Sequence, residues 1–417
     1  LGLIYKKCLI RGGNAPSAGA IVAMNPQEAV GDMTRRCWWV AVLAALVFLL
    51  PAPATRHARG EGDWEITSES DAALQRGLDW LARNQGRDGN WDSNDLGLVG
   101  MGTLAFLAAG QLPGRGQHGE AVQRSLDFVV SRAQKSGKLN IADAQRDMYN
   151  HGLATFVLGQ AQGMTSLQDQ RLNTVLSRAL RLIADTQCED GGWDYRAKRQ
   201  PNGHDLSLAV MQAKALRSAM DCGFDVSPEV VDQAIRSVRE HYSPRSISRS
   251  APESEQRKSP GQFTYTKGGG SGTIAMAACG VVCLQEFGQY DDWRIEKNMT
   301  VIGEAIRQLQ KPRGRDGTMP FDAYTLYYVG QALYQTGGSD WEQHYPKLRD
   351  HLVATQVVNA GSPTEHGCWN DRGVGGGGRV GGKPGQLYAT AVACFILAIP
   401  NRYLPILQEG RIESLRK

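Results

Sequence analysis

From residue 73 onward the apolar residues recur on a helical period, and the strict apolar/polar alternation of a half-buried strand is absent. The pattern predicts alternating outer and inner helices. Outer helices start near Ala73, Ala121, Leu176, Pro228, Val301 and Tyr345, and inner helices run near 97–110, 148–161, 205–217, 271–284, 322–334 and 385–399. The inner segments are rich in Ala, Gly, Leu and Val, whose small side chains let neighbouring helices approach closely. Turn signals separate the members: Gly86 to Gly89, Gly110 to Gly116, Gly191-Gly192, Pro312 to Gly317 and Gly337-Gly338. The expectation is an all-α chain of six helical hairpin repeats.

A sixteen-residue pattern sits at two of the joints. Arg76-Gly77, Trp80-Leu81, Gln85, Gly89 and Trp91 are matched by Arg178-Ala179, Leu182-Ile183, Gln187, Gly191 and Trp193 at the same spacing. Each residue has a local task. Gln at the end of an outer helix can satisfy orphan backbone groups, Gly permits the sharp turn, and Trp covers the joint while placing one N–H. Looser copies end in Gln310, and in Gln356 with Gly367 and Trp369.

This pattern resembles the QW motif of the terpenoid cyclase and protein prenyltransferase superfamily, whose members carry prenyltransferase and squalene-cyclase repeats. The resemblance spans about 340 residues and implies an α/α toroid (an α6/α6 barrel), six inner helices ringed by six outer ones around a bore. It also implies that Gln85, Gly89, Trp91, Gln187, Gly191 and Trp193 are structural residues.

The chemistry of those relatives is not matched. A cyclase-type D-x-D-D is absent, and Asp291-Asp292 reads as a helix start. In the stretch that resembles the prenyltransferase zinc site, Ala389 stands where the His ligand belongs, and Asp221-Cys222 lies at a helix end. Cys283 and Gln285 have the wrong spacing for a thioester. The glycine run 372–385 matches two phosphate-loop patterns by chance: Pro384 replaces the required Ser/Thr and no strand precedes. It reads as a loop over the bore.

A positional signal remains. Aligning the inner helices places His151, Asp205 and Asp322 near equivalent first-turn positions, with Tyr149, His204, Tyr324 and Tyr388 as neighbours. His and two carboxylates could bind a metal such as zinc or manage a proton, and the tyrosines could line a ligand site; the competing reading is that the aspartates are helix N-caps. No cofactor motif is evident and no metal site is specified.

Residues 1–59 stand apart. Thr34-Arg35-Arg36 precedes fourteen apolar residues, Cys37 to Leu50, followed by Pro51-Ala52-Pro53-Ala54. That layout predicts a secretory signal or a short membrane anchor, hence an exported protein whose membrane contact is confined to the leader. Seven of the 46 basic residues and two of the 42 acidic ones lie there, leaving 39 against 40 in the rest. The excess positive charge belongs to the leader, so no global field favours nucleic acid. The expected organisation is a leader at 1–59, a linker at 60–72, a toroid at 73–408 with solvated insertions at 243–262 and 361–385, and a tail at 409–417. Of the six cysteines beyond the leader, Cys279, Cys283 and Cys394 sit among Ala, Val and Phe and read as small buried hydrophobes. The expected function is that of a non-cyclase toroid holding an apolar, isoprenoid-like ligand or a protein partner. The alternatives are a divergent cyclase or prenyltransferase-type enzyme acting in the bore, and a carbohydrate-active toroid.

Overall fold

The computed structural model describes residues 64–91, 95–164, 169–270, 272–358, 361, 363–370 and 383–408. The leader, its apolar segment 37–50, most of the glycine run and the tail at 409–417 lie outside the described residues. Among those described, no helix is long and apolar enough to cross a membrane.

The six expected helix pairs are present. The outer helices are α1 (Ser68–Asn84), α3 (Gly119–Ser131), α5 (Gln170–Asp185), α7 (Pro228–Glu240), α10 (Trp293–Arg307) and α12 (Gly338–Thr355). The inner helices are α2 (Leu96–Ala108), α4 (Asp147–Met164), α6 (Leu206–Asp221), α9 (Ile274–Glu286), α11 (Ala323–Thr336) and α13 (Lys383–Ala398). Each inner helix packs on the next, and α13 packs back on α2, so the ring closes. Outer helices bury one stripe, as the five residues Leu172, Leu176, Ala179, Leu180 and Ile183 do in α5. Inner helices bury nearly every face, because they touch two neighbours and an outer helix at once.

The glutamine, glycine and tryptophan residues of the repeated pattern form a clamp. Gln85 Nε2 donates to Gly89 O at 3.1 Å and to Ala121 O of the next outer helix at 2.8 Å. Gln187 does the same with Gly191 O and Val230 O, at 3.1 and 2.9 Å. Trp91 and Trp193 donate their indole N–H to Leu81 O and Ile183 O, ten residues back, at 2.8 and 2.9 Å. The third copy closes the circle: Gln356 Nε2 reaches Gly367 O and Ala73 O of α1, and Trp369 donates to Leu352 O at 3.0 Å. Gly89, Gly191 and Gly367 have φ of 95°, 82° and 101°, and a Cβ on any of them would lie 2.2–2.3 Å from a backbone oxygen of the adjacent outer helix. Only glycine satisfies both conditions. Gln310, in contrast, is exposed and builds no such clamp.

A further joint was not legible. Gln134, Gly137 and Leu139 form a shortened copy in which Gln134 Nε2 donates to Asn140 O at 2.7 Å and Gly137 has a φ of 90°. Leu139 stands where the other copies have Trp, and His151 works at this joint. Its Nδ1 accepts from Leu139 N–H at 3.1 Å and its Nε2 donates to Ala179 O at 3.0 Å. The expectation that His151 rims the bore is therefore corrected. With both ring nitrogens committed to backbone groups between outer and inner layers, it is a structural residue.

Other boundaries also shift. The linker expected at 60–72 is folded from residue 64. Glu65 is buried, accepts from Trp341 Nε1 at 2.5 Å and pairs with Arg402 at 2.9 Å, and α1 starts at Ser68 on a Thr67 capping box. The insertion at 243–262 has an ordered base: strands β1 (Tyr242–Pro244) and β2 (Gly261–Phe263) pair antiparallel, Tyr242 opposite Phe263. Phe263 packs against Gly280 of α9, where a Cβ would clash, and its N–H is held by Asn298. Only residues 245–258, including the short α8 (Glu253–Gln256), are largely solvated.

The bore is filled at depth. Phe156, Tyr327, Tyr328 and Phe395 point into the ring contacts with almost no accessible surface, and Tyr328 Oη meets Met211 Sδ at 3.1 Å. Lys214, also sealed, pairs with Glu286 at 2.9 Å, sits 4.4 Å over the Phe156 ring and donates to Gln331. Burial pulls the Lys214 ammonium below its usual range, and Glu286 opposes that shift. The end near the inner-helix C-termini is crossed by the short α14 (Pro405–Gln408): Ile406 N–H donates to Gln160 Oε1 at 3.1 Å, and Leu407 O accepts from Tyr334.

Two outcomes test these joints. Trp193→Ala and Trp369→Ala should each lower stability by about 3–5 kcal/mol in urea denaturation, as large buried truncations do; near-neutral values would mean that the clamps do not hold the ring. Burial lowers the pKa values of His151 and His241, each to about 4. A folded value below the unfolded value of about 6.5 means that the unfolded chain binds more protons between those pH values. Stability should then be fully present above pH ~6.5 and fall as the pH drops toward 4, by on the order of 3 kcal/mol per histidine. His151→Gln should remove about one proton from that slope, and an unchanged slope would show that His151 does not contribute to it.

Candidate functional site

The first turns of the inner helices gather at the mouth opposite α14. Asp205 caps α6, accepting from Leu208 N–H at 3.2 Å, as expected of an aspartate at a helix start. The cap is also the centre of a network. Tyr195 Oη donates to Asp205 Oδ2 at 2.5 Å, Ser207 Oγ donates to Oδ1, and His204 Nδ1 lies 2.9 Å from Oδ2. Since the carboxylate only accepts, Nδ1 of His204 is the donor in this contact. Tyr265 meets the Tyr195 hydroxyl, and Tyr149 meets Ser207. A continuous chain runs Tyr265–Tyr195–Asp205–Ser207–Tyr149.

Four elements supply it. Tyr149 comes from α4, Tyr195 and His204 from the α5–α6 connection, Ser207 from α6, and Tyr265 from the segment following β2. The rings add to it: Tyr149 and Tyr195 stack at 5.6 Å, and Tyr195 meets His204 edge-on at 4.3 Å. Burial, then the charge of Asp205, pushes the Tyr149 hydroxyl above its usual range; burial, then its hydrogen bond to Asp205, does so for Tyr195. These hydroxyls stay protonated at neutral pH and serve as donors. Asp205 has no exposed side chain, whereas the His204 side chain is 49% exposed and Tyr265 is 40% exposed. The groups open to solvent are therefore His204 and Tyr265, with Tyr149 and Tyr195 half-buried beside them.

Below the network, Cys279 of α9 lies 3.3 Å from the Tyr324 hydroxyl, and burial raises its thiol pKa. Tyr324 in turn meets the Tyr328 ring at 5.0 Å. Tyr149, Tyr324 and Tyr388 are each half-buried and packed against the same core. Asp322 belongs to a different local arrangement: it caps α11, accepting from Thr325 N–H at 3.0 Å and Thr325 Oγ1 at 2.6 Å. With His151 at an outer joint and Asp322 serving its own helix, the structure does not assemble the expected triad. Among the described residues no group of three His, Cys, Asp or Glu is placed to hold a metal ion. Tyr195, Ser207 and Tyr265 were not singled out from the sequence. Nothing local marks them, since Tyr265 reaches Tyr195 through the packing of β2 on α9, which brings Tyr265 O to the Leu206 N–H at the start of α6.

No family model matches the chain, and no curated protein does. Solved structures do. A protein from Actinoplanes aligns at 14% identity and a TM-score of 0.50, covering 79% of this chain and 98% of its own. An inactive variant of an α-1,6-mannanase from Salegentibacter, in complex with α-1,6-mannotriose, aligns at 12% identity and a TM-score of 0.51, covering 81% and 100%. A type II terpene cyclase from Scytonema, in complex with geranylgeranyl dihydroxybenzoate, aligns at 14% identity and a TM-score of 0.48, covering 81% and 98%. At such identities the first two likenesses are of fold, and the chain is an α/α toroid of six helical hairpins, the architecture it shares with the mannanase.

Proposed function

We propose that this protein is an exported, non-cyclase binding toroid that takes a hydroxylated ligand, such as a segment of glycan, at its tyrosine-lined mouth. The observation that carries this reading is the contrast between interior and rim. A bore able to enclose an isoprenoid would leave accessible surface on its lining, yet Phe156, Tyr327, Tyr328 and Phe395 have almost none. A charged Lys214–Glu286 pair inside the ring also disfavours a purely apolar occupant. The rim combines partly open aromatic faces with fixed polar groups, and sugars are held by that combination, their C–H faces on aromatic rings and their hydroxyls on a few placed polar atoms.

Binding fits better than hydrolysis. Glycoside cleavage uses two carboxyl groups flanking the scissile bond, roughly 5–9.5 Å apart. Asp205 is sealed beneath its donors and Asp322 is occupied as a cap. That the Salegentibacter mannanase binds α-1,6-mannotriose makes this trisaccharide a natural first probe. Export rests on the leader: Arg35-Arg36, the apolar run 37–50 and Pro51-Ala52-Pro53-Ala54 have the layout of a secretory signal.

Calorimetric titration with a panel of linear oligosaccharides, α-1,6-mannotriose included, should find a saturable ligand. Tyr265→Ala should weaken it about 3- to 10-fold without moving the melting temperature, because an exposed stacking ring is removed. A fluorescent farnesyl probe should not saturate. Saturation by that probe, with no response to any sugar, would replace this reading with the isoprenoid one.

A further inference from the structure

The segment that carries Tyr265, between β2 and α9, is joined to two other elements by a lysine two residues further on. Lys267 Nζ donates to Asp190 Oδ2 at 2.6 Å and to the Asp190 carbonyl at 3.2 Å, in the turn after α5. It also lies 3.2 Å from Glu240 Oε2 at the end of α7. Two carboxylates and a carbonyl therefore face one ammonium. The side chains of Lys267 and Asp190 are only 22% and 16% exposed, so the contact between them is shielded from much of the solvent.

Asp190 reaches the mouth from the other side as well. Its Oδ1 accepts from Gly192 N–H at 3.0 Å and from Gly203 N–H at 2.8 Å, which closes the base of the connection 193–204 that presents Tyr195 and His204. The two ends of that connection touch, since a Cβ on Gly203 would lie 2.6 Å from Gly192 Cα. One carboxylate thus fixes the Tyr195 connection with one oxygen and the Tyr265 segment with the other. The two tyrosine hydroxyls meet between them.

Backbone bonds secure the segment as far as Tyr265: Thr264 N–H donates to His241 O at 2.9 Å, and Tyr265 O accepts from Leu206 N–H at 3.1 Å. Beyond Lys267 the packing is loose. Glycines occupy 268–270, and a Cβ on Gly268 or Gly270 would meet nothing within 4 Å. Thr266 and Gly269 bond to each other within the segment. Lys267 is therefore the anchor between the Tyr265 ring and a loosely packed glycine run.

We propose that Lys267 is a positioning residue of the tyrosine mouth: its bridge to Asp190 and Glu240 holds the Tyr265 ring against Tyr195 in the arrangement that receives ligand. Glu240 is exposed, so salt reaches the bridge and regulates the mouth. This role rests on the reading of the mouth as the ligand site, but the placement of Tyr265 can be measured with no ligand present.

Burial raises the pKa of the Tyr265 hydroxyl, so a ring released from its place ionises more readily and is nitrated faster by tetranitromethane. Nitration of the full chain is mapped by mass spectrometry, with exposed Tyr403, beside α14, as the internal reference. Lys267→Met keeps the aliphatic stem and removes the charge. It should raise the ratio of Tyr265 to Tyr403 nitration about fivefold, and Lys267→Arg should restore the original ratio. In the unsubstituted protein about 1 M NaCl should raise the ratio too, while leaving that of Lys267→Met where it was. The salt comparison needs no variant and stands even where a substitution disturbs folding. A merely structural lysine would lower the melting temperature of Lys267→Met without moving the ratio. That result, a ratio in Lys267→Arg equal to that of Lys267→Met, or no response of the unsubstituted protein to salt would overturn the proposal. Where an oligosaccharide binds, its affinity should fall in Lys267→Met and return in Lys267→Arg, and full affinity in Lys267→Met would overturn the proposal as well. Failure of every oligosaccharide would remove the ligand reading alone, since the nitration ratio decides the role of Lys267 without it.

Discussion

A glutamine amide at the end of one outer helix donates both to its own turn and to a backbone carbonyl of the next outer helix. That contact, made by Gln85, Gln187 and Gln356, is the constraint from which the rest of the ring follows. The second acceptor fixes the distance between consecutive outer helices, and the left-handed glycine allows the chain to turn inward against a neighbouring backbone. The tryptophan then fills the wedge between layers while its N–H reaches back to the helix that it follows. Because Gln356 returns to Ala73, the last repeat is tied to the first. A ring so closed has no terminal repeat left to cap, which distinguishes it from an open solenoid.

Closure has a consequence for the interior. Six inner helices pulled together by their outer partners bring large side chains into a small central volume, and here aromatic rings occupy it. The Lys214–Glu286 pair within that volume is a costly arrangement unless its geometry is complete, and it is supported by Gln331, Gln335 and the Phe156 face. Residues 404–408 complete the packing at one end, while Glu65, just before α1, is tied to Arg402, just before α14. At the edge of the ring, His204 and Tyr265 beside Asp205 remain open to solvent.

At the mouth, a helix cap has been extended into a network. Asp205 would satisfy α6 with one hydrogen bond, yet it also orients Tyr195, Ser207 and His204. The capping and functional readings of this residue are compatible, since the same carboxylate fixes the helix start and the donors around it. Asp322 shows the other outcome, a cap whose second oxygen is taken by Thr325 within its own first turn.

The sequence by itself determined the class of the fold, the number of repeats and the residues of three joints. Those features rest on local periodicity and on short spacings, which a single chain records directly. It also placed Tyr149, Asp205 and Tyr324 at the starts of inner helices, because those starts are equivalent in a repeat. Three things were decided only by tertiary structure. His151 moved to an outer joint because Leu139 stands in the place of a tryptophan, a substitution that shows no signal until the layers are packed. Tyr195 and Tyr265, 70 residues apart, met because the β1–β2 ribbon folds against α9. The unmet polar atoms of Gln285, Gln335 and His344 arose where the ends of two inner helices face two outer ones. Whether a buried polar atom finds a partner is a property of packing, and no pattern along the chain encodes it.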